Sequence, residues 1–139
     1  MIKEDFFKID VRISSSCIKV TELKLSTLLF KNEKNYPWFI LVPKKNNITE
    51  IFDLNFNEQQ MLMEEINLVS SFIKKHFNCE KINFGALGNI VSQLHIHVVG
   101  RNSNDPLWPQ GIWQENYRAS IYEKSELDNI IKSFNILYN

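Results

Sequence analysis

Nowhere in this chain do enough apolar residues run together to cross a bilayer. The longest clean stretch, Trp38 to Val42, falls far short of the roughly 20 residues a membrane helix needs, so no membrane partner is expected. The opening residues, MIKEDFFKID, are charged from Lys3 onward and hold no apolar core of the kind a secretory leader requires. A charge excess is missing as well. Sixteen basic side chains meet 16 acidic ones, which argues against the broad basic surface that non-specific nucleic-acid binding needs. Cysteine is scarce: Cys17 and Cys79 are far apart and form no CxxC pair. Both read as reduced thiols of a cytoplasmic protein. Only four glycines occur, all between residues 85 and 111, so any need for close backbone approach or unusual dihedrals is concentrated there.

What is present describes one ordinary domain. At 139 residues, 44% hydrophobic and 23% charged, the chain can bury a core and is not expected to be disordered. Two segments carry helical periodicity. In NEQQMLMEEINLVSSFIKKHF, apolar Leu62, Ile66, Val69 and Ile73 share one face. Asn57 is the expected cap, with Gln60 completing a capping box and Phe56 stapled to Met61. Near the C-terminus Ser125 is the expected cap of a helix whose apolar face is Leu127, Ile130, Ile131, Phe134 and Leu137. Strands are expected at 26–31, 38–45, 81–87 and 93–101, with a further short one at Cys17 to Thr21. The turn-like NEKNYP suggests one hairpin and GNIVS, opening on Gly88-Asn89, suggests a second. Strands grouped around one long helix, without strict alternation, indicate an α+β domain with a mainly antiparallel sheet.

The chemistry concentrates in QLHIHVV, residues 93–99, which holds two of the three histidines. In an extended chain Gln93, His95, His97 and Val99 face one way and Leu94, Ile96 and Val98 the other, a natural core stripe. The imidazoles then stand about 6.5 Å apart at the backbone, close enough to touch one small ligand. Three readings compete. They are packing histidines, they are two zinc ligands, or they perform nucleophilic or acid–base chemistry on a phosphate. The zinc reading lacks a third ligand, since His76 lies at a helix end beside lysines.

The stretch NFGALGNIVSQLHIHVVGRNSNDPLWP resembles the histidine-triad (HIT) family of nucleotide hydrolases and transferases, whose signature is His-φ-His-φ-His-φ-φ with φ apolar. Gln93 stands at the first triad position, and the LGNxVxQLHxHV form is similar to a bacterial subgroup carrying glutamine there. The likeness extends through STLLFKNEKNYPWFILVPKK and EIFDL upstream and through Trp113 downstream, so it spans residues 5 to 115. It implies a five-stranded or similar sheet with one long helix and a C-terminal helix, a homodimer, and a purine nucleotide or related substrate, without metal or cofactor. It further implies attack by His95 on the α-phosphorus of a nucleoside phosphoramidate or dinucleoside polyphosphate, through a covalent nucleotidyl-His95. His97 would bond the phosphate or leaving group as an acid–base partner, and the backbone carbonyl of Gln93 would fix the His95 tautomer. Gly88 and Asn89 would donate to phosphate oxygens, Asn83 would lie near them, and Asn32 would hold the ribose hydroxyls. Trp108 and Trp113, after the triad, are candidates to approach the site or to anchor the C-terminal segment. Arg101 is a candidate phosphate contact, whereas Phe30 and Leu41 read as core. A further family histidine is replaced by Trp38. The rivals to this reading are a nucleotide-binding module without turnover and a zinc-dependent hydrolase using His95 and His97.

Overall fold

A computed structural model describes residues 6–114 and 119–138. Five strands form one antiparallel sheet: β1 (Cys17–Glu22), β2 (Ser26–Lys31), β3 (Trp38–Pro43), β4 (Lys81–Gly85) and β5 (Ile96–Arg101), in the order β1-β2-β3-β5-β4. A single turn of helix, α1 (Val11–Ser14), precedes them. The long α2 (Phe56–His76) and the C-terminal α3 (Lys124–Tyr138) complete the α+β fold. Among the described residues no helix is long and apolar enough to cross a membrane.

The sheet is buried on both faces at its centre, and the two covers differ. On one side Leu28, Phe30, Phe39, Leu41, Ile96 and Val98 pack against α2 and α3. Phe30 and Leu41 are therefore core residues, as their pattern suggested. The other side carries Leu29, Trp38, Ile40, Val42 and Val99, and its cover is irregular chain: Ile13, Tyr36, Val91 and Ile112, with Phe7, Ile9 and Leu107 packed around them. This double burial explains why β3 reads as an unbroken apolar run, WFILVP, rather than an alternating one.

Helix starts differ from the expected positions. Asn55, not Asn57, caps α2: its Oδ1 accepts from the Glu58 N–H at 2.9 Å while Glu58 Oε1 accepts from the Asn55 N–H at 3.0 Å. A glutamate in the first turn also meets the positive end of the helix dipole, which the Gln60 alternative would not. Ser125 lies inside α3, and the Glu126 carboxylate accepts the Glu123 N–H at its start. The second hairpin is present, but its connection occupies residues 86–95, longer than GNIVS. Residues 93–95 leave β4 because their partners are elsewhere, the Leu94 N–H donating to the Ile48 carbonyl at 2.9 Å.

Gly100, opposite Ile82 on β4, is fixed by space. A Cβ there would meet Cys79 Sγ, Ile73 Cγ2 and Pro37 Cγ, the last two at 2.7 Å. Gly100→Ala is expected to lower stability by roughly 1–3 kcal/mol, the usual cost of overpacking. Urea denaturation checks this, and an unchanged midpoint would contradict the close approach.

Candidate active site

The alternation across residues 93–99 places both imidazoles on the face away from α2 and α3. His95 stands just before β5 and His97 within it, opposite Ile40 of β3 and Gly85 of β4. Their ring centroids are 5.0 Å apart, and each residue is 9% exposed. His95 Nδ1 lies 2.7 Å from the Gln93 carbonyl oxygen. A carbonyl only accepts, so Nδ1 carries the hydrogen and the Nε2 lone pair of the neutral ring is left free. His97 is held in the reverse sense. The Trp38 indole N–H donates to its Nδ1 at 2.9 Å, and an indole nitrogen cannot accept. Neutral His97 therefore keeps its hydrogen on Nε2. Two neighbouring imidazoles thus present complementary atoms, one a lone pair and the other an N–H donor.

The electrostatics reinforce this division. Burial, followed by repulsion from His95 when that ring is protonated and from Lys31, pushes the His97 pKa down to about 3. Trp38 and Trp113 flank the ring edge-on, with centroids at 5.6 and 5.5 Å, and the Lys31 ammonium stands 4.0 Å over Trp38. The Trp38 hydrogen bond acts in the same direction, because a protonated Nδ1 would turn two N–H groups against each other. In this environment the neutral His97 ring presents its Nε2–H as a donor.

Gln93 contributes twice. Its main chain orients His95, and its carboxamide grips the N-terminal segment, with Oε1 accepting from the Asp10 N–H and Nε2 donating to the Lys8 carbonyl, both at 2.8 Å. Asp10 in turn accepts from the Arg12 backbone and guanidinium, and Arg12, foremost among the causes, holds the Asp10 pKa down to about 2. Gly88, in the connection before His95, adopts φ +69°, a left-handed conformation that glycine takes without strain. A small cavity of about 20 Å³ is lined by Gly88, Ser92, Gln93 and His95 together with Thr49 and Glu50.

The HIT domain family model matches residues 13–104, two thirds of the chain. This chain belongs to the HIT family. It is similar to a histidine-triad protein of Sinorhizobium meliloti at 38% identity, covering 94% of this chain and 96% of that one with a TM-score of 0.89. A histidine-triad protein of Bradyrhizobium japonicum has 34% identity, coverage of 94% and 97%, and the same TM-score. The Plasmodium falciparum diadenosine triphosphate hydrolase shares the fold at 16% identity, with coverage of 98% and 84% and a TM-score of 0.58. No curated protein matches the sequence.

Against the HIT pattern, the remaining candidates divide. Asn83 stands on β4 opposite Val99, on the histidine face, with Oδ1 accepting from Arg101 Nη1 at 2.9 Å. Arg101 is 1% exposed and clasped by both oxygens of Asp105, at 2.7 and 3.0 Å. It braces Asn83 and does not present itself to phosphate. Asn32 directly follows β2. Its Oδ1 accepts from the Tyr122 N–H at 2.8 Å, and Tyr122 packs against Phe30 in the helix-side core, so the carboxamide ties down the C-terminal segment. Trp108 is partly exposed. Its ring stands 5.9 Å from the Arg101 guanidinium, and the later tryptophan beside His97 is Trp113. Gly88 lines the His95 cavity, while Asn89 next to it is exposed. Among the described residues no three His, Cys, Asp or Glu side chains gather as a metal site.

Because the folded pKa of His97 lies below the unfolded value of about 6.5, the folded state binds fewer protons. This stabilising contribution is present above about 6.5 and is lost as pH falls toward 3. In an NMR titration the His97 ring is expected to remain the Nε2–H tautomer at every pH well above 3. Trp38→Phe, which removes the donor to Nδ1, is expected to raise the midpoint modestly, while burial still holds it below about 6.5. A wild-type midpoint already near 6.5 contradicts the assignment.

Proposed function

We propose that this HIT protein is a nucleotide hydrolase or transferase acting at an α-phosphorus through a covalent nucleotidyl-His95. The observation that carries the reading is the 2.7 Å bond from His95 Nδ1 to the Gln93 carbonyl, which leaves Nε2 as the nucleophilic atom. Nε2 attacks the phosphorus as the bond to the leaving group breaks, and that group departs as a nucleoside polyphosphate or as an amine that takes its proton from solvent. Water then attacks the same phosphorus, releasing a nucleoside monophosphate, restoring neutral His95 and passing a proton to solvent. The substrate is a purine nucleoside phosphoramidate or a dinucleoside polyphosphate.

The role of His97 is narrower than acid–base exchange. With its pKa held at about 3 it has no proton to give near neutrality, and its Nε2–H serves as a preorganised donor to a phosphoryl oxygen as charge develops there. The connection at Gly88 and Asn89 adds backbone and amide donors, and Asn83, braced by Arg101, supports the same end of the sheet. The homodimer belongs to the same proposal. It is supported by β4, an edge strand of the sheet, and by exposed Phe84 on it with exposed Met63 and Ile51 beside it. A nucleotide-binding module without turnover is the second reading, favoured by the replacement of two family histidines with Gln93 and Trp38.

Hydrolysis of adenosine phosphoramidate and diadenosine tetraphosphate, with intact-mass detection of the adduct, decides between them. Wild type is expected to release AMP and to show a nucleotidyl adduct. His95→Ala loses the adduct and about a thousandfold or more in kcat, as removal of a nucleophile does. AMP binding without product in wild type would instead establish the non-catalytic module.

A further inference from the structure

The glutamine at the first triad position raises a separate question: what its side chain does there. The carboxamide is used in full register with backbone. One residue accepts from the Asp10 N–H and donates to the Lys8 carbonyl, across 83 and 85 positions of sequence. A two-pronged amide–backbone pair of this kind imitates one rung of a sheet ladder. It seats residues 8–12 as a strap across the histidine face, where Ile9 packs against the second core. Arg12 Nη1 reaches the Ile90 carbonyl at 3.4 Å and fixes the far end of the strap to the loop before His95. The strap precedes the part of the chain that the HIT family model matches.

The strap encloses something. Together with residues 46–49 it bounds an open cleft of about 560 Å³, within the usual range of small-ligand sites. Thr49, Ser92 and Gln93 line both this cleft and the small cavity at His95, so the two spaces share a wall. Its charged side chains are Lys8 and Asp10, and Asp10 is taken up by the Arg12 guanidinium at 2.8 Å. The other polar side chains there, Asn46, Asn47, Thr49 and Ser92, are neutral amides and hydroxyls. Such a lining matches sugar hydroxyls and base edges better than it matches a run of phosphates, which calls for clustered cations.

We propose that Gln93 is a positioning residue whose carboxamide seats the strap as one wall of a substrate subsite, and that this subsite takes a nucleoside-sized neutral polar group attached beyond the reacting phosphate. The inference rests on the function proposed above for the chemistry, but not for the binding. Gln93→Met preserves length and keeps the backbone carbonyl that orients His95, while removing both carboxamide bonds.

Two measurements test it, and neither needs turnover. In amide hydrogen exchange, the Asp10 N–H is expected to exchange faster in Gln93→Met than in wild type, with the β3 and β5 amides unchanged. An Asp10 amide that exchanges at the wild-type rate overturns the clasp. In calorimetry on a His95→Ala background, which stops cleavage, Gln93→Met is expected to weaken diadenosine tetraphosphate binding about tenfold, the equivalent of one well-made contact. Binding of inorganic tripolyphosphate is expected to weaken much less. The same split is expected of Asn47→Gly combined with Ser92→Ala, where glycine preserves the positive φ of Asn47. Equal losses for both ligands, or no loss for the dinucleotide, overturn the subsite. Failure of wild type to hydrolyse any nucleotide would overturn the proposed function alone, since exchange and binding still decide the clasp and the cleft.

Discussion

The site depends on how β3 pairs with β5. Ile40 lies opposite His97 and Trp38 opposite Val99, so Trp38 becomes the diagonal neighbour of His97 on one face. At that spacing an indole can reach across strands, and its N–H meets Nδ1 at 2.9 Å. A register shift of one residue would send Trp38 to the helix side and leave His97 without a partner. Double burial holds the register: Phe39 and Leu41 are locked under α2 and α3, while Trp38, Ile40 and Val42 are locked under irregular chain.

Much of this was legible from local pattern. The stripe Leu94, Ile96, Val98 announces which side of the strand is core, and the imidazoles fall on the other side as that stripe requires. The face Leu62, Ile66, Val69, Ile73 likewise announces α2. What local pattern could not carry was choice among equivalent neighbours. Asn55 and Asn57 are both competent caps, and the decision lay with Glu58, whose carboxylate can answer only the first. Trp108 and Trp113 are both aromatic residues after the triad, and only the path of the chain decides which of them stands beside His97.

Long-range polar pairing was the other blind spot. Asn32 has the chemistry to hold a hydroxyl, and nothing local announces that its oxygen also accepts from Tyr122, 90 residues away. Arg101 has the chemistry to hold a phosphate, yet it is buried against Asp105 and Asn83. A buried guanidinium must satisfy its donors locally, and nothing in the neighbouring sequence marks it as buried. Gln93 shows the same limit from the other side. Its carbonyl role follows from the triad pattern, because any residue supplies a carbonyl. Its carboxamide role requires knowing that residues 8–10 lie across the strand.

The two covers of the sheet therefore have different duties. Helices α2 and α3 close one face with a continuous aromatic and aliphatic core, where Phe39, Phe72 and Phe134 meet ring to ring. The opposite face is closed by segments held through discrete hydrogen bonds: the strap through Gln93, and the segment after β5 through Arg101 and Asp105. Discrete bonds fix position as firmly as packing does, but they leave gaps between the segments that helices would fill. It is into one of those gaps that His95 opens, beside Gly88 and Ser92. A second pair of helices there would bury the sheet more completely and leave no path to the imidazoles. The polar pairs thus do for this face what packing does for the other, while keeping the chemistry within reach of a ligand.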